Sequence, residues 1–112
     1  MSQKTHVLVF PCGAENAGEI YEALRYSLHV TLFGASSVED YGRFRFPNYV
    51  GGLPSIAEAG FDAAFSALLQ HLKIDVVFAT HDSVMAYLAD KAEGMGVFLV
   101  NGHAETAALA RS

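Results

Sequence analysis

The sequence predicts an α/β fold of three layers, with helices on both faces of a five-stranded, mostly parallel sheet. Short apolar runs alternate with segments of helical periodicity along the 112 residues, which is typical of this class. Most of the runs are continuously apolar, as expected for strands buried on both faces. Right-handed crossovers between such strands favour the order 3-2-1-4-5, with the switch point between strands one and four. This is a Rossmann-like arrangement.

The strands are assigned to four apolar runs and one weaker run. The apolar runs occupy residues 7–10, 30–33, 76–79 and 97–100. The weaker run, residues 49–53, contains two glycines, which favour an edge or irregular position in a sheet. We therefore expect it to be an edge strand, third in chain order.

Apolar residues at helical spacing predict the helices between these strands. Gly94 and Gly96 are expected to end the third helix, and an alanine-rich fourth helix begins at about Glu105. The predicted apolar stripes are Ile20, Leu24 and Leu28 in the first helix, Phe61, Phe65, Leu68, Leu69 and Leu72 in the second, and Val84, Met85, Leu88 and Ala92 in the third.

Composition restricts the possible classes of protein. Residues 1–112 contain no repeat or linker and are interpreted as a single domain, and 52% hydrophobic against 17% charged residues excludes intrinsic disorder. A net charge of −5 argues against nucleic acid or an anionic membrane as the main partner. No apolar run approaches the ~18 residues of a membrane span. Cys12 is the single cysteine, which fits a reducing cytoplasm.

Polar side chains are concentrated in the loops that follow strands one, four and five. In open parallel sheets, ligands bind outside the carboxyl ends of the strands, at the switch point. The first loop contains glycine and opens a helix, so its backbone N–H groups are suited to an anion. The candidate ligand-binding residues are Gly13, Glu15, Asn16, His81, Asp82 and Asn101.

Each of these loops also has a purely structural interpretation. The first lacks both the G-x-G-x-x-G and the Walker patterns, and it also fits a tight turn. Thr80 is a candidate N-cap of the third helix, where Asp82 would favour the positive helix end. The aromatic and arginine residues of segment 41–46 fit an edge segment with phenylalanine directed inward.

Two more specific candidate sites remain as alternatives. Cys12 and His81 follow strands that are predicted to be neighbours, so a Cys–His nucleophilic pair is conceivable. A lone cysteine is more often a small buried apolar residue. A metal site built from His81, Asp82, His103 and Glu105 is also conceivable, although the spacing is not that of a known ligand motif.

Several pieces of the chain, in their order, carry a family resemblance. They are residues 7–13 with Gly18, Glu19 and Ile20 opening a helix, residues 32–36, Leu53 with Pro54, Ile74 with Asp75 leading into residues 80–82, and Glu105 with Thr106 opening a helix that reaches Arg111. Together they resemble the N-terminal, pre-ATP-grasp domain of an ATP-grasp ligase similar to the carbamoyl-phosphate synthase large chain. The resemblance covers nearly the whole chain.

The resemblance implies a role for the domain and for lobes outside it. In that family two further lobes hold ATP and Mg²⁺, and a carboxylate activated as an acyl phosphate is attacked by an amine or ammonia. The first domain contributes one wall of the pocket for the acceptor substrate. Because the chain reaches Ser112 without such lobes, we expect no catalytic residue and no metal ligand in it, and no activity alone.

The expected partners follow from the same resemblance. They are the C-terminal ATP-grasp lobes and a small-molecule acceptor substrate, and a homodimer is compatible with it. ATP and Mg²⁺ are expected as cofactors of the full-length enzyme. The alternative hypothesis is a standalone Rossmann-like module that binds a small anion or a nucleotide, and a third is a small enzyme that uses Cys12 and His81.

Overall fold

The computed structural model describes residues 4–13, 15–37, 46 and 48–101. The elements are β1 (Thr5–Phe10), α1 (Glu15–Leu24), β2 (Val30–Ala35), β3 (Tyr49–Val50), α2 (Phe61–Leu72), β4 (Val76–Ala79), α3 (Asp82–Leu88) and β5 (Phe98–Asn101). The five strands form one sheet in the order β3-β2-β1-β4-β5, and every neighbouring pair is parallel. The predicted α/β, Rossmann-like fold is therefore confirmed, with β3 at one edge.

The central strand β1 explains why its sequence is continuously apolar. Its side chains alternate between two cores, because successive residues of a strand point to opposite faces. Val7 and Val9 lie in the core that α1 covers, whereas Leu8 and Phe10 lie in the core that α2 and α3 cover. All four are at most 2% exposed, so both faces of the strand need apolar residues.

Aromatic packing joins α2 to the sheet. The ring of Phe10 lies 5.8 Å from that of Phe61 and 5.3 Å from that of Phe65, and the two helix rings stack at 5.0 Å. Leu69 completes the buried face of the helix, as its spacing predicts. Burial of each such side chain stabilises the fold by about 1.5–3 kcal/mol, so this cluster anchors α2 firmly.

The first helix is shorter than its periodicity suggests. It ends at Leu24, and the chain then turns through hydrogen bonds from Arg25 N to Tyr21 O and from Ser27 N to Leu24 O. Leu28 is 81% exposed, so its assignment to the buried stripe is wrong. The physical reason is that the chain must reverse direction to enter β2 at Val30, which the i, i+4 spacing does not reveal.

The third helix also ends earlier than expected. It stops at Leu88 rather than near Gly94, and turns closed by backbone hydrogen bonds occupy the chain up to Gly96. Ala92 is nevertheless buried, and Met95 and Val97 pack against the core that α2 and α3 cover. Gly96 has a φ of +75°, which glycine adopts without strain.

Several sequence predictions concern residues outside the described part of the chain. The helix from Glu105 and the candidate ligands His103 and Glu105 lie outside the described residues, as does most of segment 41–46. Phe46 is described, and its side chain is buried as expected, edge-on to Tyr21 at 5.2 Å. In the described part of the chain, no helix has both the length and the apolar character needed to cross a membrane.

Replacement of Gly34 by alanine should destabilise the protein, because β2 passes directly under Phe46. A methyl group at Gly34 would lie 2.6 Å from Cγ and 2.9 Å from Cβ of Phe46, and the Phe46 side chain is buried. We expect Gly34→Ala to lower the free energy of unfolding by about 1–3 kcal/mol, measured by urea denaturation. Gly60→Ala is the matched control, since a methyl group there meets nothing within 4 Å; equal losses for both variants would contradict this packing.

Candidate functional site

The loops that follow β1 and β4 meet at the carboxyl edge of the sheet. Phe10 is paired with Ala79 at the ends of these strands, so the next residues of both strands leave the sheet side by side. Thr80 donates its backbone N–H to Phe10 O at 3.1 Å and its hydroxyl to Pro11 O at 2.7 Å. Cys12 N donates to Ala35 O at 2.9 Å, which adds the end of β2 to the same edge.

This edge is the topological switch point of the fold. From β1 the chain enters α1 on one face, and from β4 it enters α3 on the other. Two neighbouring strands whose connections leave in opposite directions open a crevice between them, and ligands bind there in open α/β sheets. The structure therefore brings together two of the three loops that the sequence singled out, those after β1 and β4.

The role expected for Thr80 is corrected by the structure. The N-cap position of α3 is His81, in an extended conformation and without a side-chain capping hydrogen bond. Thr80 is only 6% exposed and its hydroxyl is donated to Pro11 O. Thr80 lies one position before the N-cap residue, so its hydroxyl donates to the Pro11 carbonyl of the neighbouring loop instead.

The remaining candidates lie along the same edge at different positions. Gly13 is half-buried after β1, whereas His81 and Asp82 are exposed at the start of α3. Glu15 and Asn16 form the first turn of α1, and for them and for Asn101 the structure describes the backbone. Asn101 is paired with Ala79, so it lies one strand further from the switch point.

Cys12 is a core residue in this fold. It is fully buried in the cluster that includes Ala17 and Ile20 of α1. His81, in contrast, is exposed. A nucleophilic thiol must be accessible to its substrate, so this placement favours the interpretation of Cys12 as a small apolar residue.

The metal hypothesis gains no support from the described residues. His81 and Asp82 are adjacent, but within the described ranges no group of three His, Cys, Asp or Glu side chains is placed to hold an ion. The other two proposed ligands, His103 and Glu105, lie outside those ranges.

A polar network fixes α3, and with it the start of the helix at the crevice. The hydroxyl of Tyr87 donates to Asp62 Oδ1 of α2 at 2.6 Å, and Lys91 Nζ lies 3.5 Å from Asp62 Oδ2. The hydrogen bond to Asp62, desolvation and the charge of Asp62 raise the pKa of Tyr87. Sequence patterns do not reveal this network, because Asp62 lies 25 positions from Tyr87 and on a different helix.

Comparison with known proteins does not identify a family. No protein-family model matches the chain, and no curated protein gives a significant match. What is established is therefore the α/β, Rossmann-like fold, with its sheet order β3-β2-β1-β4-β5.

Removal of the Thr80 hydroxyl should weaken the connection between the two loops. Thr80→Val keeps the shape of the side chain but leaves the Pro11 carbonyl without this donor. We expect a loss of about 1–2 kcal/mol in the free energy of unfolding, measured by urea denaturation. Ser83→Ala, an exposed hydroxyl in the next turn, should change it by less than about 0.5 kcal/mol. A Thr80→Val variant as stable as wild type would show that this bond contributes nothing.

The thiol of Cys12 should react slowly in the folded protein. Because it is fully buried, a thiol reagent must wait for local or global opening. We expect modification by Ellman's reagent at neutral pH to be at least about 100-fold slower in buffer than in denaturing urea. A rapid reaction of the native protein would contradict this interpretation and favour Cys12 and His81 as a nucleophilic pair.

Proposed function

We propose that this chain is the N-terminal, substrate-side domain of an ATP-grasp ligase similar to the carbamoyl-phosphate synthase large chain, and that it is not catalytic alone. The observation that carries the proposal is the placement of two loops at the switch point. The loop at Gly13 and the exposed pair His81 and Asp82 lie at the ends of neighbouring strands.

The positions of the resembling sequence pieces support this proposal. Residues 7–13 form most of β1 and the loop after it, residues 32–36 end β2, and residues 80–82 follow β4. These three pieces therefore end at one edge of the sheet, whereas Ile74 and Asp75 precede β4 at the other edge. The meeting of three resembling pieces at one edge supports a shared substrate wall, whereas a shared fold alone permits many functions.

The chemistry of the crevice suits an acceptor substrate with both an anionic and a polar group. Backbone N–H groups behind Gly13, at the start of α1, attract a carboxylate or phosphate. The imidazole of His81 and the carboxylate of Asp82 provide hydrogen-bond partners on the other side. In this proposal they orient the acceptor, and no residue of the chain takes part in bond making.

The reaction of the full-length ligase follows from the resemblance. Further lobes supply ATP and Mg²⁺, a carboxylate is converted to an acyl phosphate with release of ADP, and an amine or ammonia displaces phosphate. The single cysteine, Cys12, fits an enzyme of the reducing cytoplasm. The role of this chain is to bind the acceptor and to exclude water from one side.

The alternative is a standalone module that binds a small anion or a nucleotide. It is favoured by the start of α1 at Glu15, directly behind the glycine-containing loop, since the first turn of a helix has unsatisfied N–H groups. In this case ligand binding in the same crevice would itself be the function, and no catalytic domain would take part.

The two functions differ in the affinity for nucleotides. As a substrate-side domain, the isolated chain should bind MgATP with a dissociation constant no tighter than about 1 mM, or −4 kcal/mol, measured by calorimetry. A thermal-shift screen with phosphates, nucleotides and amino acids extends the test, because a ligand that binds only the folded state raises the melting temperature.

The outcomes separate the candidates clearly. Micromolar binding of MgATP, lost in His81→Ala but retained in the control Asp90→Asn at an exposed position, would overturn the substrate-side proposal in favour of the module. Turnover of ATP by the chain unaided would overturn both. A stabilising effect confined to amino acids or small carboxylates would support the acceptor pocket.

A further inference from the structure

A cavity lies at the amino end of the sheet, opposite the edge at which His81 and Asp82 lie. It has a volume of about 310 Å³ and is bounded by the end of α1 and the amino ends of β1 and β2. The described polar and aromatic residues that line it are Lys4, Tyr21, Arg25, Tyr26, Thr31 and Asn48. Its volume falls at the lower end of the range of small-molecule sites.

The charge of this cavity is opposite to that of the chain. The described residues include four lysines and arginines, and two of them, Lys4 and Arg25, line this cavity. None of its described lining residues is acidic, although the whole chain carries a net charge of −5 and Glu22, outside that lining, forms an ion pair with Arg25. A local cationic wall on an acidic protein attracts an anionic ligand.

Arg25 is held in position before any ligand arrives. Its guanidinium lies 4.8 Å from the ring centre of Tyr21 and 4.7 Å from that of Tyr26, and Nη1 donates to Glu22 Oε1 at 3.2 Å. A guanidinium has five N–H donors, so donors remain for a ligand. Because the group is already ordered, less entropy is lost when it binds an oxyanion.

The other lining groups suit the rest of an organic molecule. Tyr26 is 79% exposed, so its ring offers a surface on which a planar group can stack. Asn48 donates Nδ2 to Leu32 O at 3.1 Å, which fixes its amide and leaves the amide oxygen as an acceptor. The cavity thus combines an anion-binding end with an aromatic surface and a polar rim.

We propose that this cavity binds a small organic anion in which a planar ring carries a phosphate or carboxylate group. Arg25 and Lys4 bind the oxyanion, and the tyrosine rings contact the planar group. This site is separate from the crevice at the carboxyl ends of the strands, so it does not rest on the proposed function, and failure of either proposal leaves the other intact.

The test is a titration followed through the backbone amides of Arg25, Tyr26 and Asn48 by NMR. Phenyl phosphate and benzoate carry a ring with one of the two anions, inorganic phosphate lacks the ring, and benzyl alcohol lacks the charge. We expect saturable shifts with phenyl phosphate or benzoate, and binding at least about fivefold weaker for the two partial probes. The tighter of the two ring anions identifies the preferred oxyanion.

Charge-removing variants decide whether the named residues form the site. Lys4→Gln and Arg25→Gln should each weaken binding of the better probe by about fivefold, while their circular dichroism and unfolding midpoints confirm an intact fold. Lys73→Gln removes the same charge at an exposed position away from the cavity and should change binding less than twofold. Three outcomes would overturn the proposal: equal weakening by the control variant, chemical-shift changes confined to His81 and Asp82, or no saturable shift at 20 mM probe. That concentration is about 20-fold above a millimolar dissociation constant.

Discussion

The burial of β1 on both faces is the constraint on which the rest of the structure depends. Val7 and Val9 face one core, and Leu8 and Phe10 face the other. The strand pairs with β2 on one side and β4 on the other, so both of its hydrogen-bonding edges are paired. Because each face must be covered, the helices that follow β1 and β4 have to lie on opposite sides of the sheet.

The crevice is a direct consequence of that division. The connections from two neighbouring strands leave in opposite directions, and the space between them is open at the carboxyl edge. Thr80 keeps the two loops together by donating to both Phe10 O and Pro11 O, while the contact of Tyr87 with Asp62 holds α3 against α2. The exposed His81 and Asp82 are thus presented from a framework that is fixed on both sides.

The two ends of the sheet have different chemical characters. At the carboxyl end, His81 and Asp82 are exposed beside the first turn of a helix. At the amino end, two cationic side chains and two tyrosines line a cavity. Nothing in the general rule for parallel sheets predicts a site at the amino ends. The cavity arises locally, because α1 ends at Leu24 and the turn that follows brings Arg25 and Tyr26 beside the start of β2.

The sequence by itself determined the order of elements, the parallel sheet and the edge that holds the crevice, because runs such as residues 7–10 are apolar throughout and chirality restricts their connections. It also located Gly13, His81 and Asp82 at that edge. Only the tertiary structure decided that Leu28 is exposed, that Cys12 is buried and that Thr80 binds the neighbouring loop. The positions of Cys12 and Thr80 depend on contacts between residues distant in sequence, and the exposure of Leu28 on the turn that the chain makes before β2. Neither periodicity nor capping preference contains that information. The cavity around Arg25 belongs to the same group, since its walls come from four separate stretches of the chain.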